Sequence, residues 1–192
     1  MQYSKETLSK SKLIETALTQ LRIESAKHDE LLRFVAKQGE LYMPAKEHPE
    51  ELLDMRGPVG KCYDTTLLAA WRLGKQGYKY AEGVVYVPHD KETGQVYAHA
   101  FLVKDGMAYD LTQIKIENDK PVFDFGQYYI GIEIDTMLVM DFVRSTGYSG
   151  FFLNAWRNVD LAQTIEKLSG FEIPAPFFMP PKKLKEIYGA NL

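Results

Sequence analysis

Apolar positions recur along this chain with two different periods, and the change of period divides it. Near the start, Ile14, Ala17, Leu18 and Leu21 fall at i, i+3, i+4 and i+7, and Leu8 extends the stripe backwards. Leu31, Leu32, Val35 and Ala36 repeat the helical spacing before Gly39 stops it. Residues 1–40 therefore read as an N-terminal helical attachment. It is either an arm for a partner or, more simply, a pair of helices whose stripe packs on the main core. Pro44, Pro49, Gly57, Pro58 and Gly60 then predict an irregular connection over residues 40–60. A helix is predicted from about residue 61 to Gly74 or Gly77, with Leu67, Ala70 and Trp71 on its apolar face.

The period then shortens to two. Residues 82–87 predict a strand, residues 88–94 a turn, and residues 95–104 and 107–112 two further strands. Asp105-Gly106 separates the last two, and such a pair between apolar alternations is the strongest short-range hairpin signal. Residues 128–134 predict another strand, with Gly131 inside it. Asp135 can cap a helix carrying Leu138, Val139, Phe142 and Val143 that ends near Gly147. Asn158 or Asp160 opens a further helix with Leu161, Ile165 and Leu168, closed by Gly170. Aromatics and prolines mix over residues 171–181, predicting an extended cover for the core before a short helix over 182–188. Strands in the middle with helices on either side predict an α+β domain over residues 41–192, an antiparallel sheet with packed helices.

Composition narrows the function. With 45% hydrophobic residues in 192, the chain can bury a core, which excludes wholesale disorder. Its 23 basic and 26 acidic residues leave a formal charge of −3, so no nucleic-acid partner is expected. No run reaches the ~20 apolar residues of a membrane helix, so no membrane association is expected. Residues 1–6 open a polar helix rather than a signal peptide. One cysteine cannot make an internal disulfide or a thiolate-rich metal site, and the predicted location is a reducing cytoplasm. His28, His48 and His89 lack metal-ligand spacing, and no phosphate-binding glycine motif occurs, so neither metal nor cofactor is expected. Tyr78, Tyr80, Tyr86 and Tyr97 are expected to pack in or beside the strands.

The candidate chemistry lies between Gly57 and Thr112. Cys62 falls where a helix should begin, and the unpaired amides and positive dipole end of a first turn stabilise a thiolate. Lys61 would assist and Asp64 oppose. Taken alone, Cys62 is better read as a buried structural thiol. The hairpin alters that balance. If Asp105 and Gly106 form its loop, Lys104 pairs with Met107, Phe101 faces Asp110, and His99 faces Thr112. His99 and Asp110 then share a face as diagonal neighbours, where the carboxylate can orient the imidazole. By themselves these two are an ordinary core pair. A helix N-terminus over this strand would bring Cys62 to His99, assembling nucleophile, base and orienting carboxylate.

Gly60-Lys61-Cys62-Tyr63 opening a helix, Ala98-His99-Ala100-Phe101 on a strand, and Asp105-Gly106-Met107-Ala108-Tyr109-Asp110-Leu111-Thr112 across a tight turn together resemble a known pattern. It is that of the transglutaminase-like cysteine enzyme superfamily, with its papain-like core. The resemblance covers residues 57–112, under half of the chain. It implies that Cys62 is the nucleophile, His99 the general base and acid, and Asp110 the orienting carboxylate. The implied activity is that of a cysteine-dependent amide hydrolase or acyl transferase working through a thioester: a protease, deamidase or transglutaminase-like enzyme. A protein or peptide amide is the implied substrate, without a cofactor. Papain-like proteases use Asn in the third position, so Asp110 favours the transglutaminase-like branch. Many members follow the cysteine with Trp, whereas Tyr63 stands here. Two alternatives stay open: a non-catalytic protein-interaction module on the same scaffold, and an arylamine-type acetyl transferase that depends on acyl-CoA. The backbone amide of Cys62 is the expected first oxyanion donor, with Tyr42, Gln38 and Tyr63 as candidates for the second.

Overall fold

The computed structural model describes residues 35, 38–88, 94–112, 115–117, 120–122, 127–152 and 159–170. The stripe from Leu8 to Leu32, the turn at residues 89–93 and the tail over 171–188 lie outside the described residues. Within them the strands are β1 (Glu40–Pro44), β2 (Lys79–Pro88), β3 (Gly94–Lys104), β4 (Met107–Tyr109), β5 (Lys115–Glu117), β6 (Lys120–Val122) and β7 (Tyr128–Ile134). The helices are α1 (Glu50–Leu53), α2 (Cys62–Leu73), α3 (Thr136–Thr146) and α4 (Val159–Ser169). No described helix is long and apolar enough to cross a membrane.

The mixed α+β class holds, but the sheet is not a plain antiparallel one. Strands β1-β4-β3-β2-β7 close into a barrel in that order, while β5 and β6 form a separate hairpin that the sequence pattern did not signal. Closure needs β1, which the prolines of residues 40–60 had hidden. It lies parallel to β4 (Met43 beside Met107) and antiparallel to β7 (Tyr42 beside Tyr129). Pro44 is tolerated because it ends the strand, where a missing N–H costs little. The Asp105-Gly106 hairpin forms as expected: both loop residues have positive φ (52° and 74°), and Lys104 pairs with Met107. Strand β2 is longer than the apolar run implied, because its ladder with β3 continues from Lys79 to Pro88.

Alternation along the strands divides the core in two. Tyr42, Ala81, Val85, Phe101, Val103, Ala108 and Tyr129 point inwards and fill the barrel. Tyr80, Val84, Ala100, Leu102, Ile130 and Ile132 point outwards, against Leu67, Ala70 and Leu73 of α2 and Val139 and Phe142 of α3. Val35 joins this outer core, and the Gly39 amide bonds the Val35 carbonyl at 2.7 Å, as a helix end stopped by Gly39 requires. Asp135 caps α3 through Leu138 N (3.0 Å), and Gly147 closes it at φ 74°. Trp71 is not core. At 55% exposure it looks outwards with Leu68, because α2 buries positions 66, 67, 69, 70 and 73 instead. Tyr97 is likewise exposed, whereas Tyr78 and Tyr80 are buried as expected. A carboxylate occupies the outer core: Glu82, 2% exposed, accepts from Tyr80 Oη (2.6 Å), Phe152 N (2.9 Å) and Phe151 N. These donors offset the cost of burying a polar group, and the two amides fasten residues 151–152 to the barrel.

A lane of glycines makes the barrel narrow enough to close. Gly83 of β2 pairs with both His99 and Gly131. A Cβ on Gly83 would stand 2.0 Å from the Ile130 carbonyl oxygen and 2.6 Å from Gly131 Cα. Both obstacles are backbone, which cannot turn aside. Gly106, by contrast, has open space around it and only its φ of 74° to lose. Gly83→Ala should therefore cost about 3 kcal/mol or more, and Gly106→Ala about 1 kcal/mol. Urea unfolding of the two variants measures this difference, and equal costs would refute the role assigned to Gly83.

Candidate active site

The site is made where β4 departs from β3. Their ladder stops at Leu102–Tyr109 instead of running on to Thr112, the expected extent of the strand. Into the opening comes the N-terminal turn of α2. Ala100 on the released edge of β3 uses its carbonyl to accept from Thr66 Oγ1 at 3.1 Å, which fixes the helix against the strand. On the other side, the Gly57 amide bonds the Leu111 carbonyl at 3.2 Å. Gly57 also lies so close to Thr65 that a Cβ would reach within 2.0 Å of its Oγ1. Gly60, at φ 85°, then turns the chain into the helix. Cys62 is thereby held as the first helical residue, between β3 and the segment that carries Asp110.

All three predicted residues meet here. Asp110 lies beyond the last pair of β4, and its Oδ2 accepts from His99 Nε2 at 2.7 Å. This is the diagonal contact that the hairpin register implied. With Nε2 committed to the carboxylate, Nδ1 is the ring nitrogen left over, and Cys62 lies near enough to help hold the proton on the imidazole. The exposures are small: 7% for Cys62, 3% for His99 and 6% for Asp110. Burial alone would favour a neutral imidazole, but the Asp110 carboxylate and the bonds to Asp110 and Cys62 outweigh it, raising His99 from 6.5 to about 10. Burial would likewise raise Asp110. The facing imidazolium, together with bonds from His99, the Thr112 amide and Tyr129, holds it below the usual carboxylate range.

Several contributors carry no signal that pattern reading could detect. Thr112 donates to Asp110 Oδ1 through its amide (2.9 Å) and its hydroxyl (3.2 Å). Tyr129 Oη stands 3.0 Å from Asp110 Oδ2 and 2.7 Å from Gln127 Oε1. His48 comes from the loop after β1, its ring edge-on to Tyr109 at 5.4 Å, and lines a small cleft with Asp110, Gln127 and Tyr129. Burial outweighs the nearby Asp110 charge and lowers His48 to about 4. Only the barrel's closure brings these distant stretches together. Lys61 and Asp64, predicted to pull Cys62 in opposite directions, pair with each other at 3.9 Å on the surface, where such a contact is worth little.

Of the oxyanion candidates, Tyr42 gives its hydroxyl to Glu133 (3.2 Å), Gln38 is exposed, and Tyr63 packs against the outer core. The Cys62 amide, first in its helix, has no intrahelical acceptor and is free of that duty. No metal-binding group of three or more His, Cys, Asp or Glu side chains occurs among the described residues. No family model matches this chain, and no curated protein or solved structure does so either.

The two shifts define a window of pH. His99, raised in the folded state, contributes stability that is complete below about 6.5 and is lost as pH climbs through about 10. Asp110, lowered, contributes stability that is complete above its ordinary 3.8 and is lost on further acidification. The pair therefore contributes most between about pH 4 and 6.5. Asp110→Asn should lose about 3–5 kcal/mol there, with the gap to wild type narrowing toward pH 10 and below pH 4. Thermal unfolding of both proteins across this range tests the sign, and a gap that widens toward pH 10 would contradict it.

Proposed function

We propose that this chain is a cysteine-dependent amide hydrolase or acyl transferase of the transglutaminase-like kind, with the barrel and α2 as its papain-like core. Cys62 is the nucleophile, His99 the general base and acid, and Asp110 the carboxylate that orients His99. The observation that carries this reading is the use of the two ring nitrogens. His99 Nε2 is taken by Asp110 at 2.7 Å, which leaves Nδ1 for the thiol on the first turn of α2. A charged imidazole beside that sulfur supports a thiolate–imidazolium pair.

The chemistry follows from the arrangement. The Cys62 thiolate attacks the carbonyl carbon of a protein or peptide amide, forming the C–S bond as the carbonyl oxygen takes up the electron pair. The Cys62 amide, at the positive end of α2, is the first donor to that oxygen. The oxyanion collapses, the C–N bond breaks, and His99 Nδ1 hands its proton to the departing amine. Water or an amine then adds to the thioester while His99 takes its proton. Breaking the C–S bond returns the thiolate beside protonated His99 and releases the acid or the new amide. A reducing cytoplasm, expected from the single cysteine, would keep Cys62 in its reactive form.

The low exposure of Cys62 favours a second reading, a non-catalytic interaction module with a buried thiol. Alkylation by iodoacetamide decides between them, since Cys62 is the only thiol in the chain. A sulfur activated by His99 reacts faster than free cysteine at about pH 6, and His99→Ala should remove that advantage. An unreactive thiol, or the rate of free cysteine in both proteins, would overturn the enzymatic reading.

A further inference from the structure

Tyr129 has one proton and two acceptors. Its Oη stands 3.0 Å from Asp110 Oδ2 and 2.7 Å from Gln127 Oε1, and a phenol donates a single hydrogen bond. All three side chains are buried, at 1% exposure for Tyr129, 6% for Asp110 and 6% for Gln127, so bulk water cannot settle the competition. An ionised carboxylate accepts a bond roughly twice as strong as a neutral amide oxygen does, so the proton goes to Asp110. Two oxygens 2.7 Å apart with no proton between them would then repel. A half-turn of the Gln127 amide removes the conflict, because it brings the NH2 group to the tyrosine oxygen.

We propose that Tyr129 is a positioning residue of the site: Gln127 Nε2–H donates to Tyr129 Oη, whose proton goes to Asp110 Oδ2, so that this chain of bonds holds His99 toward Cys62. The role assigned to it rests on reading Cys62, His99 and Asp110 as an acyl-transfer site, although the direction of the bonds does not. Tyr129 suits the task because its own place is rigid. It pairs with Tyr42 of β1 on one side and Val85 of β2 on the other, and its ring lies 4.9 Å from that of Phe101. Asp110 lies beyond the last pair of β4. Thr112 secures one carboxylate oxygen locally, and Tyr129 ties the other to the barrel. Burial and the Asp110 charge push the Tyr129 phenol well above its ordinary 10, so it remains a donor wherever the site works. Among the described residues, the titratable groups around His99 are Cys62 from α2, Asp110 after β4 and Tyr129 from β7, with His48 beside Asp110.

Carbon-13 NMR of the aspartate carboxyls, with Asp110→Asn to assign the signal, reads the pH at which Asp110 takes up its proton, which should lie below the ordinary 3.8 in the wild type. Tyr129→Phe should raise it by about 1 to 2 pH units, the worth of one hydrogen bond to a charged group. An unchanged value overturns the proposal. Gln127→Met keeps it testable should Tyr129→Phe fail to fold. If the amide donates, its loss leaves the Asp110 value equal or higher. If instead the amide oxygen draws the tyrosine proton, its loss frees that proton for Asp110 and the value falls, which also overturns the proposal. The reading of function fails separately: a Cys62 alkylation rate like that of free cysteine, together with the expected NMR shift, removes the enzyme and leaves the bonded chain in place.

Discussion

His99 and Asp110 are 3% and 6% exposed. Taking an imidazolium and a carboxylate out of water costs several kcal/mol per ion before their mutual attraction returns any of it. Such a pair persists only if its remaining lone pairs and protons are also met, and much of the local architecture serves that need. Thr112 covers one oxygen of Asp110 while His99 and Tyr129 share the other. Strand β4 has to stop at Tyr109, because a continued ladder would close the opening through which α2 reaches the imidazole. The edge of β3 released by that departure is itself a cost, which Thr66 offsets at Ala100.

The same pair ties the site to the closure of the barrel. Tyr129 reaches Asp110 only because β7 lies between β1 and β2, and β7 fits there only where glycines allow the backbones to approach. Gly83 faces His99 on one side and Gly131 on the other. Gly131 in turn leaves room for the ring of Phe101, which stands 2.5 Å from where a Cβ would be. Packing inside the barrel and electrostatics at its mouth are therefore one problem. A methyl group added at Gly83 disturbs the wall against which His99 and Tyr129 are both held.

How much of this the sequence disclosed follows from the range of each interaction. The helix beginning at Cys62, the Asp105-Gly106 hairpin and the diagonal pairing of His99 with Asp110 depend on residues within a few positions or one turn of each other, and all were legible. β1 was not, because two prolines and a short apolar run resemble a loop until β4 and β7 supply partners on both sides. The barrel went unseen for the same reason. Tyr129 and Gln127 are separated from Asp110 by 19 and 17 positions and by a second hairpin, so no local pattern links them to the site. Trp71 was misplaced by a different route. Helical periodicity allots an apolar residue to the buried face, but Ala69 and Ala70 already fill the narrow space against the strands, and the larger ring is left outside.

A purely structural reading of the trio has to explain its cost. Apolar side chains of similar volume in place of a buried ion pair are often neutral or stabilising by about 1–4 kcal/mol, and the interior around His99 is already rich in aromatic rings that could extend over it. Stability alone thus gives no reason for an imidazole and a carboxylate at this depth, still less for a buried thiol near them. Specificity of folding is a weak substitute, since the hairpin turn and the glycine lane already determine the register. Chemistry at the sulfur would account for the third member as well as for the pair. It would also account for the way Gly57, Gly60 and Thr66 hold the first turn of α2, with Cys62 in it, against β3 and the segment after β4.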